Sequence, residues 1–207
     1  MIILSTGPHR SGSTWMYNVL RMICIENNKS VYGSFVNKYD LENESEVHVV
    51  KLHGYIKSMK AIGDLTFMTV RDIRDIIASA VRRDMVQPTM LDVERYARKI
   101  IRREYNQWST CCDLQLRYED IMKSKPKAIS KIAKVMSMPV DPIKVSRLVE
   151  DIPIPNDESE FNAENQLHHN HITNGVHGSY KTTLPKDIVG FLEHEYQWFL
   201  KRHGYLK

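Results

Sequence analysis

The chain has 207 residues, 42% hydrophobic and 26% charged, with a formal net charge of +4. This length and balance fit one globular domain with a real core, and the mild positive charge suits an anionic ligand better than a long nucleic acid, which requires a denser basic stripe. No apolar run approaches the ~20 residues of a bilayer span, the N-terminal stretch lacks a signal-peptide pattern, and Cys24, Cys111 and Cys112 form neither a disulfide framework nor a spaced zinc site; the expectation is a cytoplasmic protein with no membrane or nucleic-acid partner.

Residues 2–6 read as a buried strand, and the apolar spacing of residues 14–25 reads as a helix, so that "STGPHRSGSTW" (5–15) joins strand to helix. Further strands are expected at 47–53, 65–70 and 113–118. Helices are expected at 73–83, 91–108, 126–138, 142–150 and 186–203. This alternation predicts an α/β fold, a single domain over residues 1–207 with a central parallel sheet flanked by helices. The basic runs "RRD" (82–84) and "RKIIRREY" (98–105) suit the wet face of an amphipathic helix, with Tyr96, Ile100, Ile101 and Trp108 inward, rather than a nucleic-acid stripe. Residues 151–183, rich in Asn, His, Pro and Gly, lack periodicity and read as a lid. His168, His169 and His171 within it have no Cys or acidic partners at a recognised spacing, so a polar lid is the reading and no metal is expected.

Ligands on parallel sheets bind beyond the carboxyl ends of the strands. The first such end nearly spells a Walker A loop: Gly7, Gly12 and Thr14 occupy its first, sixth and eighth positions, but Ser13 replaces the lysine. Two glycines, three hydroxyls and Arg10 before a helix N-terminus favour a phosphate, and the missing lysine favours a group shorter than a triphosphate. Arg71 ends the 65–70 strand, with Asp72 and Asp75 at the start of the next helix and Ser79 further along it. Arg71 is placed either to pair with one of those aspartates or to form a second anion site. Lys51 and His53 fall on the same side of the 47–53 strand. They read either as solvated strand residues or as a neutralising cation beside a general base.

Taken together, these segments resemble the sulfotransferases that use 3′-phosphoadenosine 5′-phosphosulfate (PAPS). "RSGSTW" (10–15) matches their 5′-phosphosulfate loop, with His9 where proline is frequent. Arg71 and Ser79 match their 3′-phosphate motif, Lys51 and His53 their K-x-H element, and Tyr118, Glu119 and Asp120 their YED element. The resemblance implies that Arg10, Ser11, Gly12, Ser13 and Thr14 hold the phosphosulfate, that Trp15 and Tyr118 bound the adenine, and that Arg71 and Ser79 hold the 3′-phosphate. Alignment on "GSYK" (178–181) sets Thr173, Asn174 and Gly175 where the family has R-K-G, so that Asn174 and Gly175 close over the nucleotide without the two cations. The implied catalytic residues are His53 as general base, with Lys51 and Arg10 stabilising the leaving phosphate.

The implied activity is sulfuryl transfer from PAPS to a hydroxyl or amine of a small acceptor, without a metal. A carbohydrate or other polar metabolite is the preferred acceptor, because "YGSFVNKYDLENESE" (32–46) and residues 151–180 are polar. The alternatives are a P-loop kinase, which needs a triphosphate and magnesium, and a nucleotide-binding module without catalysis. The sequence leaves the oligomeric state open.

Overall fold

The computed structural model describes residues 1–157, 161–169 and 175–207. Of the residues singled out above, His171, Thr173 and Asn174 lie outside the described set. Five parallel strands form the central sheet: β1 (Ile2–Thr6), β2 (Val31–Phe35), β3 (Val47–Lys51), β4 (Leu65–Val70) and β5 (Leu114–Arg117), in the order β2-β3-β1-β4-β5. Helices cover both faces, which is why β1, β3 and β4 are almost continuously apolar rather than alternating.

Neighbouring residues of each strand serve opposite cores. Ile3, Val49 and Phe67 pack with α1 (Ser13–Glu26), α5 (Tyr118–Lys123), α6 (Lys125–Met136) and α7 (Pro142–Glu150). Leu4, Val50 and Met68 pack on the other side. There they meet residues of α2 (Lys57–Ile62), α3 (Ile73–Val81), α4 (Met90–Lys99), α8 (Tyr180–Thr183), α9 (Lys186–Glu195) and α10 (Gln197–Arg202). Because every strand runs the same way, the loops after Thr6, Phe35, Lys51, Val70 and Arg117 share one edge of the sheet.

The expected parallel sheet is therefore present, with differences of detail. β2 adds an edge strand where none was expected; it is short, mostly half-buried and interrupted by Gly33. Gly33 is there because a Cβ would stand 2.5 Å from the Tyr17 hydroxyl and 2.7 Å from Arg21 Nε on α1. The expected 91–108 helix is α4 followed by a π-helical turn, Ile100–Tyr105, which buries Ile100, Ile101, Glu104 and Tyr105. The expected 186–203 helix breaks at Tyr196 into α9 and α10. α2, α5, α8 and a small hairpin, β6 (Phe161–Asn162) with β7 (Leu167–His168), are too short for periodicity to register.

Candidate active site

The loop after β1 folds under tight backbone constraints. Gly7 has φ 129° and Gly12 φ 88°, both in the region that favours glycine. A Cβ on Gly7 would lie 2.6 Å from the Thr69 carbonyl oxygen, and one on Gly12 would lie 2.9 Å from the Tyr118 ring, so the loop packs on β4 and α5 with no room to spare. Ser11 braces it from beneath: its hydroxyl donates to the Pro8 carbonyl at 2.6 Å and shares a 2.7 Å bond with Thr69 Oγ1. Arg10 takes a left-handed conformation, φ 64°, uncommon for a residue with a side chain and typical of strained functional loops. The chain then enters α1 at Ser13, whose first turn presents N–H groups that no carbonyl within the helix can accept.

Cationic groups crowd the same end. Arg10 Nε donates to Ser79 Oγ at 3.0 Å. Arg71 donates to the Arg10 carbonyl at 3.1 Å and to the Val176 carbonyl at 3.4 Å, and its guanidinium lies 4.2 Å from the centre of the Tyr118 ring. Burial first, then the charges of Arg83 and Arg71, hold the Arg10 guanidinium down to about 10. Arg71 pairs with neither nearby aspartate. Asp72 caps α3 and binds Arg74 at 2.6 Å, while Asp75 accepts from the backbone of Gly178 and Tyr180 and from the Ser179 hydroxyl. Asp75 thereby anchors the loop that carries Gly175 and Val176, and Tyr118 donates its hydroxyl proton to the Gly175 carbonyl at 3.2 Å.

Lys51 and His53 meet the loop from β3. Lys51, buried at the strand end, donates to Thr14 Oγ1 at 2.6 Å. Burial, and then the charge of Arg10, lowers its ammonium to about 7. His53 Nδ1 lies 2.8 Å from the Gly7 carbonyl oxygen, which accepts only, so Nδ1 carries the proton and Nε2 is the basic nitrogen. Burial, then the charge His9 can carry, then Lys51, hold the His53 imidazole well below its ordinary value. The His9 and His53 rings stack with centroids 3.6 Å apart. His9 Nδ1 and its backbone N–H both bond the buried Glu104 carboxylate, at 2.8 and 2.9 Å to Oε2.

These groups line one cavity of about 740 Å³. Of the residues expected from the sequence, Arg10, Gly12, Ser13, Thr14, Trp15, Lys51, His53, Arg71, Tyr118 and Gly175 lie on its wall. Ser11 and Ser79 do not: both are fully buried, and each spends its hydroxyl on positioning, Ser11 within the loop and Ser79 on Arg10. The β6–β7 hairpin forms a further wall, held to α1 by Tyr17 hydroxyl to Glu164 carbonyl (2.9 Å), Asn18 amide to Asn165 carbonyl (2.9 Å) and Arg21 to Asn165 and Glu164. Just beyond α3, Arg83 donates to the His169 carbonyl at 3.3 Å and contacts His168.

Sequence reasoning missed Arg83, which it assigned to a wet helix face, and the His9–Glu104 pair. A signal for the latter existed: Glu104 shares the inward face of the 91–108 segment with Ile100, Ile101 and Trp108. A carboxylate on an apolar stripe is seldom idle. Two groups of potential metal donors occur among the described residues, His9, His53 and Glu104, and Asp72, Asp75 and His177. In each, protein donors already occupy the carboxylates.

No family model and no curated protein matches the sequence. Solved structures do match. Retinol dehydratase in complex with retinol and PAP superposes with a TM-score of 0.65 over 97% of this chain and 81% of that one, at 14% identity. The same enzyme with androsterone and PAP gives 0.65 over 97% and 80%, also at 14% identity. Mouse sulfotransferase SULT7A1 with PAP gives 0.66 over 97% and 83%, at 13% identity. The chain has the sulfotransferase fold. Nearly all of it, 97%, takes part in the likeness.

Proposed function

We propose that this protein is a sulfotransferase that moves the sulfuryl group of PAPS to a hydroxyl or amine of a small acceptor. The observation that carries the reading is the joining of base and anion loop: His53 is bonded to Gly7 and Lys51 to Thr14, so one cavity holds a basic nitrogen beside a cationic phosphate-type loop. The loop N–H groups, Thr14, Lys51 and Arg10 hold the 5′-phosphosulfate, Arg71 the 3′-phosphate, and Trp15 and Tyr118 the adenine. His53 Nε2 takes the acceptor's proton as the acceptor atom bonds to sulfur. The sulfur–oxygen bond to the 5′-phosphate breaks, and the electron pair leaves with the phosphate, where Lys51 and Arg10 stabilise it. The described parts of residues 151–183 act as the lid, with the hairpin strapped between α1 and Arg83.

The acceptor half of the wall changes the preference for a sugar. Phe35, Met85, Ile152, Ile154, Phe161 and Leu167 line it, and such a surface favours an apolar body carrying one reactive hydroxyl or amine. Retinol and androsterone, bound in two of the similar structures, are in keeping with that class. The test is mass spectrometry of a metabolite extract incubated with protein and PAPS, with and without EDTA. New sulfonated species should concentrate in the apolar fraction and survive the chelator. Products confined to sugars would overturn the acceptor class; dependence on ATP and magnesium instead of PAPS would favour a kinase.

The depressed Lys51 ammonium gives a second expected result. Above about pH 7 the free protein loses this proton, and an anion seated against Lys51 restores it, so binding of adenosine 3′,5′-bisphosphate (PAP) near pH 8 should take up protons. Near pH 6 Lys51 is already charged and the uptake should vanish. Calorimetry in two buffers of different ionisation enthalpy reads the uptake directly. Uptake that persists in Lys51→Met would place the proton elsewhere.

A further inference from the structure

The catalytic histidine has no carboxylate of its own. Among the described residues, the groups acting on His53 include the Gly7 carbonyl at Nδ1, the rings of His9 and Phe35, and the charges of Lys51 and, more weakly, Lys99, with Trp108 donating to its carbonyl oxygen. An imidazolium formed there during transfer meets a cation and a low-dielectric wall. Catalytic histidines commonly rely on a buried carboxylate to stabilise that charge. The carboxylate in this site is Glu104, one ring further out.

Glu104 is a costly residue to bury. Its side chain is 2% exposed, on a π-helical turn, a feature often found at functional sites. It binds His9 twice, through the ring Nδ1 and the backbone N–H, and Lys99 Nζ stands 3.5 Å away on the more exposed side. The carboxylate fixes the His9 tautomer with the proton on Nδ1. The stack sets the centroids of the two imidazole rings 3.6 Å apart, and a Glu104 carboxylate oxygen lies within 4.8 Å of a His53 ring nitrogen. Lys99 forms an ion pair with the same carboxylate but is half-exposed, so solvent screens its charge and it offsets the carboxylate only in part.

We propose that Glu104 and His9 are positioning residues of the base, supplying through the ring stack the negative charge against which the His53 imidazolium forms. The proton balance is simple: one proton passes from acceptor to His53 Nε2 as sulfur changes partners, none passes to Glu104, and the His9–Glu104 bond stays intact. The stack also fixes the plane of the His53 ring, whose Nδ1 Gly7 already holds, so Nε2 has a set direction. This role rests on the sulfuryl-transfer reading.

Glu104→Gln tests it, because the amide keeps an oxygen for His9 and removes the charge. With PAPS as donor and 2-naphthol as probe acceptor, kcat should fall on the order of 10- to 100-fold while PAP affinity stays within about twofold and KM for PAPS is little changed. The loss should disappear in a His53→Asn background, since groups that act as a unit are not additive. His9→Phe, which preserves an aromatic stack but removes the ring's bond to the carboxylate, should behave alike and guards against a folding failure of the first variant. If Glu104→Gln turns over within about threefold of wild type, loses PAP affinity in step with kcat, or costs as much without His53 as with it, the proposal falls and the transferase reading stands. A wild-type protein that neither binds PAP nor consumes PAPS sinks both.

Discussion

His53→Asn should reduce sulfuryl transfer on the order of 100- to 10,000-fold while PAP affinity changes by no more than about twofold, the pattern of a lost general base. Asparagine is the informative replacement. Its amide nitrogen takes the place of imidazole Nδ1 and can keep the bond to the Gly7 carbonyl, so the anion loop retains its brace and only the basic Nε2 is removed. The wild-type pH profile should carry the same signature. His53 is held well below an ordinary imidazole's 6.5, so it is neutral and able to accept a proton at every pH above that depressed value. The kcat/KM for PAPS, which reports groups of the free protein, should therefore hold as the pH falls through 6.5 and decline only when the pH reaches the lowered value. A variant that retains most of its kcat, or a wild type that loses activity at the ordinary imidazole value, would remove His53 from the proton transfer.

The parallel sheet was legible because β1, β3 and β4 are buried on both faces and so read as apolar runs, each followed by its chemistry: loop and Arg10 after β1, Lys51 and His53 at the end of β3, Arg71 after β4. These residues lie within one cavity because parallel strands bring their carboxyl ends to one edge. β2 was illegible for the opposite reason. It is an edge strand, half-exposed, and its glycine answers to Tyr17 and Arg21 on another element, a constraint that no local pattern carries.

Side-chain direction was harder to read than element identity. Ser11 and Ser79 belong to the right segments, yet their hydroxyls are turned into the protein, where they hold Thr69 and Arg10. Arg83 looked like a solvated helix residue because the hairpin it holds comes from far along the chain. The His9–Glu104 bond spans 95 positions in sequence, and only the fold brings its halves together.

Arg71→Ala should abolish most of the preference for adenosine 3′,5′-bisphosphate over adenosine 5′-phosphate, which in the wild type should be roughly 10- to 100-fold, as expected of one charge-assisted arginine contact. The position of Arg71 explains why one residue should dominate. Asp72 and Asp75, its acidic neighbours in sequence, are bound by Arg74 and by residues 178–180, so neither competes for its guanidinium. Among the described residues its hydrogen bonds go to two backbone carbonyls, one of them long at 3.4 Å, and its Nε is buried without a partner. Stacking on Tyr118 fixes the plane of the fork. A phosphate offers such a fork a charged acceptor in place of a neutral one. Ser79 is already engaged with Arg10, so Ser79→Ala should act less strongly and partly through Arg10. Because Arg71 also ties the Arg10 carbonyl to Val176, some loss of monophosphate affinity is expected in Arg71→Ala, and the ratio of the two affinities is the quantity to measure by calorimetry. Arg71→Lys should retain part of the ratio, since it keeps the charge but not the fork. A ratio unchanged in Arg71→Ala would move 3′-phosphate recognition to Arg10, Arg83 or the lid, and a wild type with no preference between the two nucleotides would remove PAPS as the donor.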